Sequence, residues 1–405
     1  MPLWALAAAH FAHAQEVAFV PQFSLTGEYA TNRTLATPSA PNSVDGQLMA
    51  GADILAHTQV ASFDLRPLVT FLDDNKIKNL NQYEALVDLV TAYRTQKSEW
   101  DFEAEYQRQD AFSAEYGIAA YNPLNPNAPN TQGTGFIVTG DTKTSFDVQP
   151  SFSYDLTQRW SLSGNLAYDA ARYSTDVPGY LVSFNSEGAE VDMGYAVTRQ
   201  STIAAGPYYT NYEPINSDVG AVRNHSYGIN ANYNYKVSQI TSTKLTVRVE
   251  RDMSPSAFGF PASSTTTWGA DWTGIHKWLT SSVQFSIGRF LQPSSFGGRT
   301  SVDQFRVQYT KLFTERLSAN AAVRATRSTD IGNIVLDDTG NRDRANVQLA
   351  LSYLFTEEWS LSGGYRYSYQ SLPSFDTSGL NAGQRNAHSN AVFITVAYHG
   401  RQPPK

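Results

Sequence analysis

Cysteine is absent from all 405 residues of this chain, and so is any long apolar run. Without cysteine there is no disulfide, no thiolate nucleophile and no cysteine-bound zinc or iron–sulfur centre. No stretch reaches the roughly 18 apolar residues that indicate a transmembrane helix. Basic residues are not clustered either, and the net charge is −7, so nucleic acid is excluded as a partner.

The residues of hydrolytic and metal-dependent catalysis are equally sparse. The seven histidines are scattered along the chain. The patterns HExxH and GxSxG, a phosphate-binding loop and a GxGxxG turn between strand and helix do not occur. His388, Ser389 and Asn390 are adjacent, but adjacent residues of a strand point to opposite faces, which disfavours a catalytic triad. We therefore expect no enzymatic activity, no cofactor and no metal site.

The N-terminal sequence MPLWALAAAHFAHAQ indicates an export signal. A short apolar run from Leu3 to Phe11 is followed by Ala12-His13-Ala14, which fits the small-x-small rule of signal peptidase. We expect residues 1–14 to be the signal peptide. Residues 15–405 are expected to form one domain, because no composition shift or linker divides them.

What the chain does have is aromatic residues, 13% of the total, with apolar residues at every second position of segments about ten residues long. This period of two predicts β-strands. The clearest alternations are Phe146, Val148, Pro150, Phe152, Tyr154; Trp160, Leu162, Gly164, Leu166, Tyr168; and Val392, Ile394, Val396, Tyr398. Residues 83–95, YEALVDLVTAYRT, fit helical spacing as well, so a helix is left open there.

The pattern predicts 18 strands, with centres near residues 24, 50, 65, 88, 104, 149, 165, 191, 206, 231, 247, 270, 286, 306, 321, 350, 365 and 393. Their connectors alternate between short turns, such as Phe355 to Glu358, and long loops, such as Ser113 to Gly140. In an up-and-down meander every second connector lies at the same end. We therefore expect an all-β, antiparallel, up-and-down barrel of about 18 strands, with 16 or 20 as alternatives.

A membrane accounts for this pattern better than a soluble core does. A soluble sandwich of 18 strands would have to pack every apolar face into one core. Such a core would exceed the size at which soluble chains divide into separate domains. A barrel in a bilayer needs no such core, because lipid covers its apolar face. A membrane-spanning strand takes about 9–11 residues, which is the length of the predicted segments.

Several segments resemble those of bacterial outer-membrane β-barrels, and more narrowly porin-type barrels found with exopolysaccharide and cell-envelope loci. They are VPQFSLTGEYATN, the hairpins YDLTQRWSLSG, KLFTERLSANA and YLFTEEWSLSG, and the final NAVFITVAY. The resemblance implies an outer-membrane location, contact with lipid and lipopolysaccharide, and recognition of the last strand by the barrel-assembly machinery. Such barrels end on an aromatic residue, whereas here HGRQPPK follows Tyr398.

The resemblance also implies a channel for passive or substrate-guided passage of hydrophilic solutes, with exopolysaccharide as one candidate. A non-conducting docking barrel, whose extracellular loops bind a polysaccharide or a protein, is the alternative. The loop at residues 113–140 is expected to fold into the pore, narrowly preferred over lying outside it. Monomer and trimer are both left open.

If the rings face lipid, the residues between them face the lumen. The pore-lining candidates are Arg66, Arg94, Asp101, Glu103, Glu105, Asp147, Arg248, Glu250, Arg306, Arg324 and Arg366. The candidates for aromatic girdles at the membrane surfaces are Tyr154, Trp160, Tyr168, Tyr235, Tyr353, Trp359, Tyr367, Tyr369 and Tyr398.

The acidic lumen positions outnumber the basic ones, which predicts a mild cation preference. Asp101, Glu103 and Glu105 in WDFEAEY are three carboxylates on one face of one strand. We expect them to pair with arginines of neighbouring strands. The alternative is an acidic ladder that repels anions or holds a divalent ion.

Overall fold

The structure is a computed structural model, and it describes residues 16–35, 39–77, 82–111, 114, 141–174, 181–215, 223–255, 262–294, 298–331, 342–372 and 385–401. The expected signal peptide, nearly all of the loop at 113–140 and the tail after Arg401 lie outside these ranges. What the sequence indicates about them stays a prediction.

Eighteen strands account for most of the described residues. They are β1 (Glu16–Ala30), β2 (Ser43–His57), β3 (Ala61–Asp74), β4 (Gln82–Arg94), β5 (Ser98–Asp110), β6 (Thr142–Asp155), β7 (Trp160–Tyr173), β8 (Phe184–Ala196), β9 (Ser201–Pro214), β10 (Asn224–Ser238), β11 (Thr241–Ser254), β12 (Ser263–Lys277), β13 (Ser281–Ser294), β14 (Gly298–Leu312), β15 (Leu317–Ile331), β16 (Arg342–Leu354), β17 (Trp359–Leu372) and β18 (Arg385–His399).

Every predicted strand centre lies inside one of these strands, so the predicted number of 18 is confirmed. The segment for which a helix was left open is β4. No helix in the described part of the chain is long and apolar enough to span a membrane. The strands are 13–15 residues long, longer than the ten expected, because at about 3.3 Å per residue they continue past the hydrocarbon layer.

The strands form one closed antiparallel wall. Each strand pairs with its neighbours in sequence, and β1 also pairs with β18, from Gln22 opposite His399 to Ala30 opposite Ala391. Closure gives the backbone N–H and C=O groups partners within the wall, which is the condition for crossing a bilayer with strands. The first residue of β1 and the last of β18 lie at the same rim.

That rim carries short turns, and the other carries the longer loops. The eight connections from β2–β3 to β16–β17 at the short-turn rim have two to four residues. The opposite rim includes connections such as residues 31–42 and 373–384. Short and long connectors therefore segregate as predicted, with one exception. Residues 295–297, between β13 and β14, are only three residues long although they lie at the long-loop rim.

A threonine hydroxyl organises six of the short turns in the same way. Its Oγ1 accepts a hydrogen bond from the backbone N–H three residues later, at 2.9–3.0 Å. The six residues are Thr58, Thr95, Thr157, Thr198, Thr314 and Thr356. A hydroxyl that bonds the backbone stabilises a tight turn at the point where the chain reverses. The three similar hairpins in the sequence show this motif, and the structure adds three more.

Replacing Thr356 with valine should destabilise the β16–β17 turn. The hydroxyl accepts from the N–H of Trp359 at 2.9 Å and from that of Glu358 at 3.2 Å, and valine keeps the shape without the acceptor. We expect the free energy of unfolding, measured by denaturant titration in lipid vesicles, to fall by about 1 kcal/mol. The Thr356→Ser control retains the hydroxyl and should lie close to the wild type. Equal losses in the two variants would show that the hydrogen bond is not the cause.

The outer surface of the wall is apolar. On β1 the side chains of Phe19 and Leu25 are 66% and 54% exposed, whereas Ser24 between them is 1% exposed. The same alternation exposes large apolar side chains on every strand. Such a surface far exceeds the apolar patches that soluble monomers carry. We conclude that lipid covers this surface. Strands can face hydrocarbon only in a closed barrel, and this wall is closed.

The register of β7 can be tested with two adjacent residues. Leu166 is 57% exposed at the middle of the outer face, and Asn165 points to the other side of the wall. We expect Leu166→Arg to lower the free energy of unfolding by about 2–4 kcal/mol, the cost of arginine near the bilayer midplane. Asn165→Arg should cost little, because its side chain meets water. A larger loss for Asn165→Arg would mean that the two faces are exchanged.

Candidate functional site

The inner face of the wall is identified by side-chain contacts that skip strands. Side chains on the concave face of a closed barrel converge, whereas those on the convex face diverge. Arg366 of β17 donates to Glu28 of β1 at 2.5 Å, although β18 lies between them. Arg248 of β11 donates to Glu190 of β8 at 3.3 Å. Because directly opposite residues share a face, these contacts assign the inner face along the whole ring of paired strands.

Four carboxylates lie side by side on the inner face of four consecutive strands. Asp88 of β4 is directly opposite Glu105 of β5. Glu105 is in turn opposite Asp147 of β6, and Asp147 is opposite Asp169 of β7. We call this set the acidic wall. It runs perpendicular to the strands, along the line of directly opposite residues, instead of following a single strand.

The expected pairing of Glu105 with arginine is therefore wrong, because both of its direct neighbours are acidic. The nearest base in this line of directly opposite residues is Arg66. It donates to Asp53 at 2.6 Å and not to Glu105. Like charges placed directly opposite each other destabilise a sheet. Within the described residues, no group of three or more potential ligands is placed to hold a metal ion.

The opposite side of the lumen is basic. Arg306 and Arg324 are directly opposite each other on β14 and β15. Arg342 and Arg344 of β16 and Arg366 of β17 share the same inner face. We call these five arginines the basic wall. The inner-face residues among them are uncharged: Gln304, Gln308, Asn346, Gln348 and Ser368.

The two walls face each other across the lumen at similar depth. In a closed ring of 18 strands, β5 and β14 are nine strands apart in either direction. Glu105 lies seven residues from Ser98, and Arg306 lies six residues from Leu312; Ser98 and Leu312 both adjoin the short turns. Both charges therefore lie near the middle of their strands. Glu105 and Arg306 therefore lie on opposite sides of the lumen.

The inner face of β5–β7 is open to water. Glu103, Gln149 and Asn165 are exposed although they lie on the concave side of the wall. An inner face that packed against a solid core would not leave mid-strand side chains exposed. The lumen is therefore wet next to the acidic wall.

At the long-loop rim, a buried polar network joins β14 to β9–β11. The guanidinium of Arg299 donates to Ser226 at 2.7 Å and to Asp252 at 3.1 Å, and it lies 3.4 Å from Glu250. Tyr208 donates to Glu250 at 2.8 Å. All five residues are at most 8% exposed. The start of β14 is therefore tied to β9–β11 by a buried charged cluster.

A small apolar cluster lies beside this network. Phe184 and Tyr212 have ring centroids 5.3 Å apart, and they pack with Ala111 and Leu181 from the adjoining connections. The Tyr212 hydroxyl donates to the backbone carbonyl of Ser294 at 3.2 Å, at the end of β13. Packed side chains therefore tie the end of β13 to β8 and β9 at this rim.

A second ion cluster surrounds Arg33, in the connection after β1. Its guanidinium pairs with Asp45 of β2 and lies 3.8 Å from Asp74 of β3. Burial alone would lower the pKa of Arg33, but Asp45, Glu28 and Asp74 together raise it. The connection after β1 therefore carries a stable positive charge against the inner face.

All eleven pore-lining candidates lie on the inner face, and all nine girdle candidates lie on the outer face. Trp160 and Trp359 adjoin the short turns, with ring centroids 4.8 Å from Tyr195 and 5.0 Å from Tyr398. Their roles in solute passage and in membrane anchoring stay predictions. Arg342 and Arg344 were not predicted from the sequence, because β16 begins before the ten-residue segment that was expected. Asp343 between them interrupts the alternation with apolar residues, which is regular only from Ala345 onward.

Removing Arg299 should destabilise the mouth, because it leaves Glu250 and Asp252 buried without their base. We expect Arg299→Ala to lower the free energy of unfolding by about 3–5 kcal/mol. Arg94→Ala is the control, since Arg94 pairs with Glu99 in an exposed position where the loss is at most about 1 kcal/mol. Denaturant titration in vesicles measures both. A loss for Arg299→Ala no greater than for Arg94→Ala would contradict the buried network.

No family model matches this sequence, and no curated protein matches it. Solved structures with a similar architecture include Pseudomonas aeruginosa OccK5 (OpdH), with 11% identity over 95% of this chain and 99% of that chain and a TM-score of 0.43. P. aeruginosa OpdO has 10% identity over 96% and 99%, with a TM-score of 0.44. Acinetobacter baumannii OccAB2 has 11% identity over 94% and 97%, with a TM-score of 0.43.

At these identities and TM-scores, the likeness carries no argument about function. The assignment comes from the chain itself, whose strands close into an even-numbered wall with short turns at one rim and long loops at the other. Its exterior is apolar and its interior is charged. This combination is that of barrels in the outer membrane of bacteria. The chain is an 18-stranded bacterial outer-membrane β-barrel.

Proposed function

We propose that this barrel is a non-enzymatic channel through which small hydrophilic solutes cross the outer membrane. One observation supports the proposal above all: the inner face of β5–β7 is polar, charged and exposed at mid-strand. A barrel of about 16–18 strands is wide enough to leave an aqueous passage. Exopolysaccharide as the solute has no support in any described contact.

The charges of the lumen also support the proposal. A structural barrel would gain from pairing its inner charges or from replacing them with apolar side chains. Here Glu105 instead has acidic neighbours on both sides, Asp88 and Asp147. Water contact lowers the cost of such an arrangement, and the nearby inner-face residues Glu103 and Gln149 are exposed. The lumen is therefore built for contact with water and its solutes.

The absence of cysteine makes a direct test possible. A single introduced cysteine is the only thiol in the chain, so a water-soluble, positively charged methanethiosulfonate reagent modifies that residue alone. Purified protein in a planar bilayer should show steady open currents. Modification of Asn165→Cys, on the inner face, should lower the single-channel conductance. Modification of Leu166→Cys, one residue away on the outer face, should leave the conductance unchanged.

The outcomes separate a channel from a docking barrel. Open currents that respond to the reagent only at position 165 support the channel. Electrical silence of correctly folded protein contradicts it, and silence with tight capture of a polysaccharide supports the docking alternative. Equal responses at positions 165 and 166 would mean that the current does not pass through this lumen.

A further inference from the structure

We propose that the wall is split between β12 and β13 in its long-loop half, and that this split is a lateral opening through which amphiphilic solutes pass between the lumen and the outer leaflet of the membrane. The inference rests on the proposed channel function and adds a second route with its own class of solute. It follows from the pairing of the two strands and from the direction in which β13 leaves the wall.

β12 and β13 are paired only in the short-turn half of the wall, where residues 270–277 lie opposite residues 282–289. Both strands continue beyond that point. Residues 263–269 of β12 stay paired with β11, and residues 290–294 of β13 stay paired with β14. The stagger of the strands does not account for the gap, because a continued register would place residues 265–269 directly opposite residues 290–294. The two strands have therefore separated.

The separation is directed inward. Gly269 is directly opposite the lumen residue Arg248, so a side chain at Gly269 would point into the lumen. A Cβ added there would lie 2.8 Å from the carbonyl oxygen of Arg289, which places the backbone of β13 on the lumen side of β12. Further along, Tyr212 of β9 donates to the carbonyl of Ser294 at 3.2 Å, with three strands between them. β13 therefore turns inward and leaves β12 with an open edge.

The edge of β12 next to the split is exposed on both faces. Residues 263–266, with the sequence Ser-Ser-Thr-Thr, are all exposed. The lumen-facing residues opposite them on β11, Asp252 and Ser254, are buried. An open strand edge needs water as its hydrogen-bond partner, because hydrocarbon offers none. The split is therefore a water-filled slit in the wall.

Trp268 marks the level at which the slit begins. It lies nine residues from Lys277, which at about 3.3 Å per residue and a tilt of about 40° places it roughly 23 Å from the short-turn rim. The apolar band of such barrels is about 25 Å tall. The Trp268 ring is 57% exposed on the outer face, with the guanidinium of Arg289 5.0 Å from its centroid. The slit therefore opens where the hydrocarbon of the outer leaflet meets water.

This position determines the class of solute that the slit fits. A wholly polar solute gains nothing by leaving a wet lumen toward lipid, and a wholly apolar one does not enter a wet lumen. A solute with a polar head and one alkyl chain matches both sides of the slit. The exposed hydroxyls of β12 are hydrogen-bond partners for its head, and the chain reaches the hydrocarbon beside Trp268.

Disulfide formation tests the split, because the chain has no cysteine of its own. Directly opposite residues of antiparallel strands lie about 4.5–5.5 Å apart, within the range that a disulfide spans. The control Thr273→Cys/Ser286→Cys is in the paired half and should oxidise readily in vesicles. Thr265→Cys/Ser294→Cys would be equally close if the register continued, and we expect it to stay reduced. Equal oxidation of the two variants would overturn the split.

Protection of a single cysteine tests the class of solute. The probes are octyl glucoside, below the concentration at which it forms micelles, and glucose, which has the same head without the chain. In Thr267→Cys, octyl glucoside at ten times its dissociation constant should slow modification by a methanethiosulfonate reagent about tenfold, and glucose should not. Gln107→Cys is the matched control, nine residues from Ser98 on the lumen side of β5, which is paired with both neighbours. Neither probe should protect it.

The outcomes separate this inference from the proposed function. Protection of position 267 by octyl glucoside alone supports the lateral opening. Equal protection of positions 267 and 107, or protection by glucose as well, contradicts it. No protection in a protein that carries open currents overturns the inference and leaves the channel intact. Electrical silence of correctly folded protein overturns the proposed function instead.

Discussion

The structure depends on one constraint: inside a bilayer the backbone must satisfy its own hydrogen bonds. Strands meet this constraint only when the last one pairs with the first, as β18 does with β1. Closure then separates two surfaces that meet different solvents. Lipid covers one of them and water covers the other, and the alternation of side chains along every strand follows from that division.

Individual residues show which solvent each face of the wall meets. On β7, Leu166 faces hydrocarbon, and its neighbour Asn165 faces the lumen. The threonine turns complete the arrangement at one rim, where the chain must reverse within a few residues and keep its polar groups bonded. The opposite rim is less uniform, and there the Arg299 network ties the start of β14 to β10 and β11.

The class, the strand number and the separation of the rims could be predicted from the sequence, because period-two alternation is a local property. The division of charge between two walls could not. Whether Glu105 meets an arginine or an aspartate depends on the register between β4, β5 and β6, and the sequence of β5 alone does not specify that register. Arg299 illustrates the same limit, since its partners Ser226 and Asp252 are far away in sequence and two strands are inserted between β11 and β14.

The first and last strands do not pair along the whole length of β1. β1 pairs with β2 along all fifteen of its residues, but with β18 only from Gln22 to Ala30. Residues 16–20 therefore overhang, with one side of their backbone unpaired among the described residues. A bare edge of this kind invites addition of a foreign strand. Pro21, which has no N–H to offer, ends the overhang and makes this open edge of the wall a poor template for aggregation.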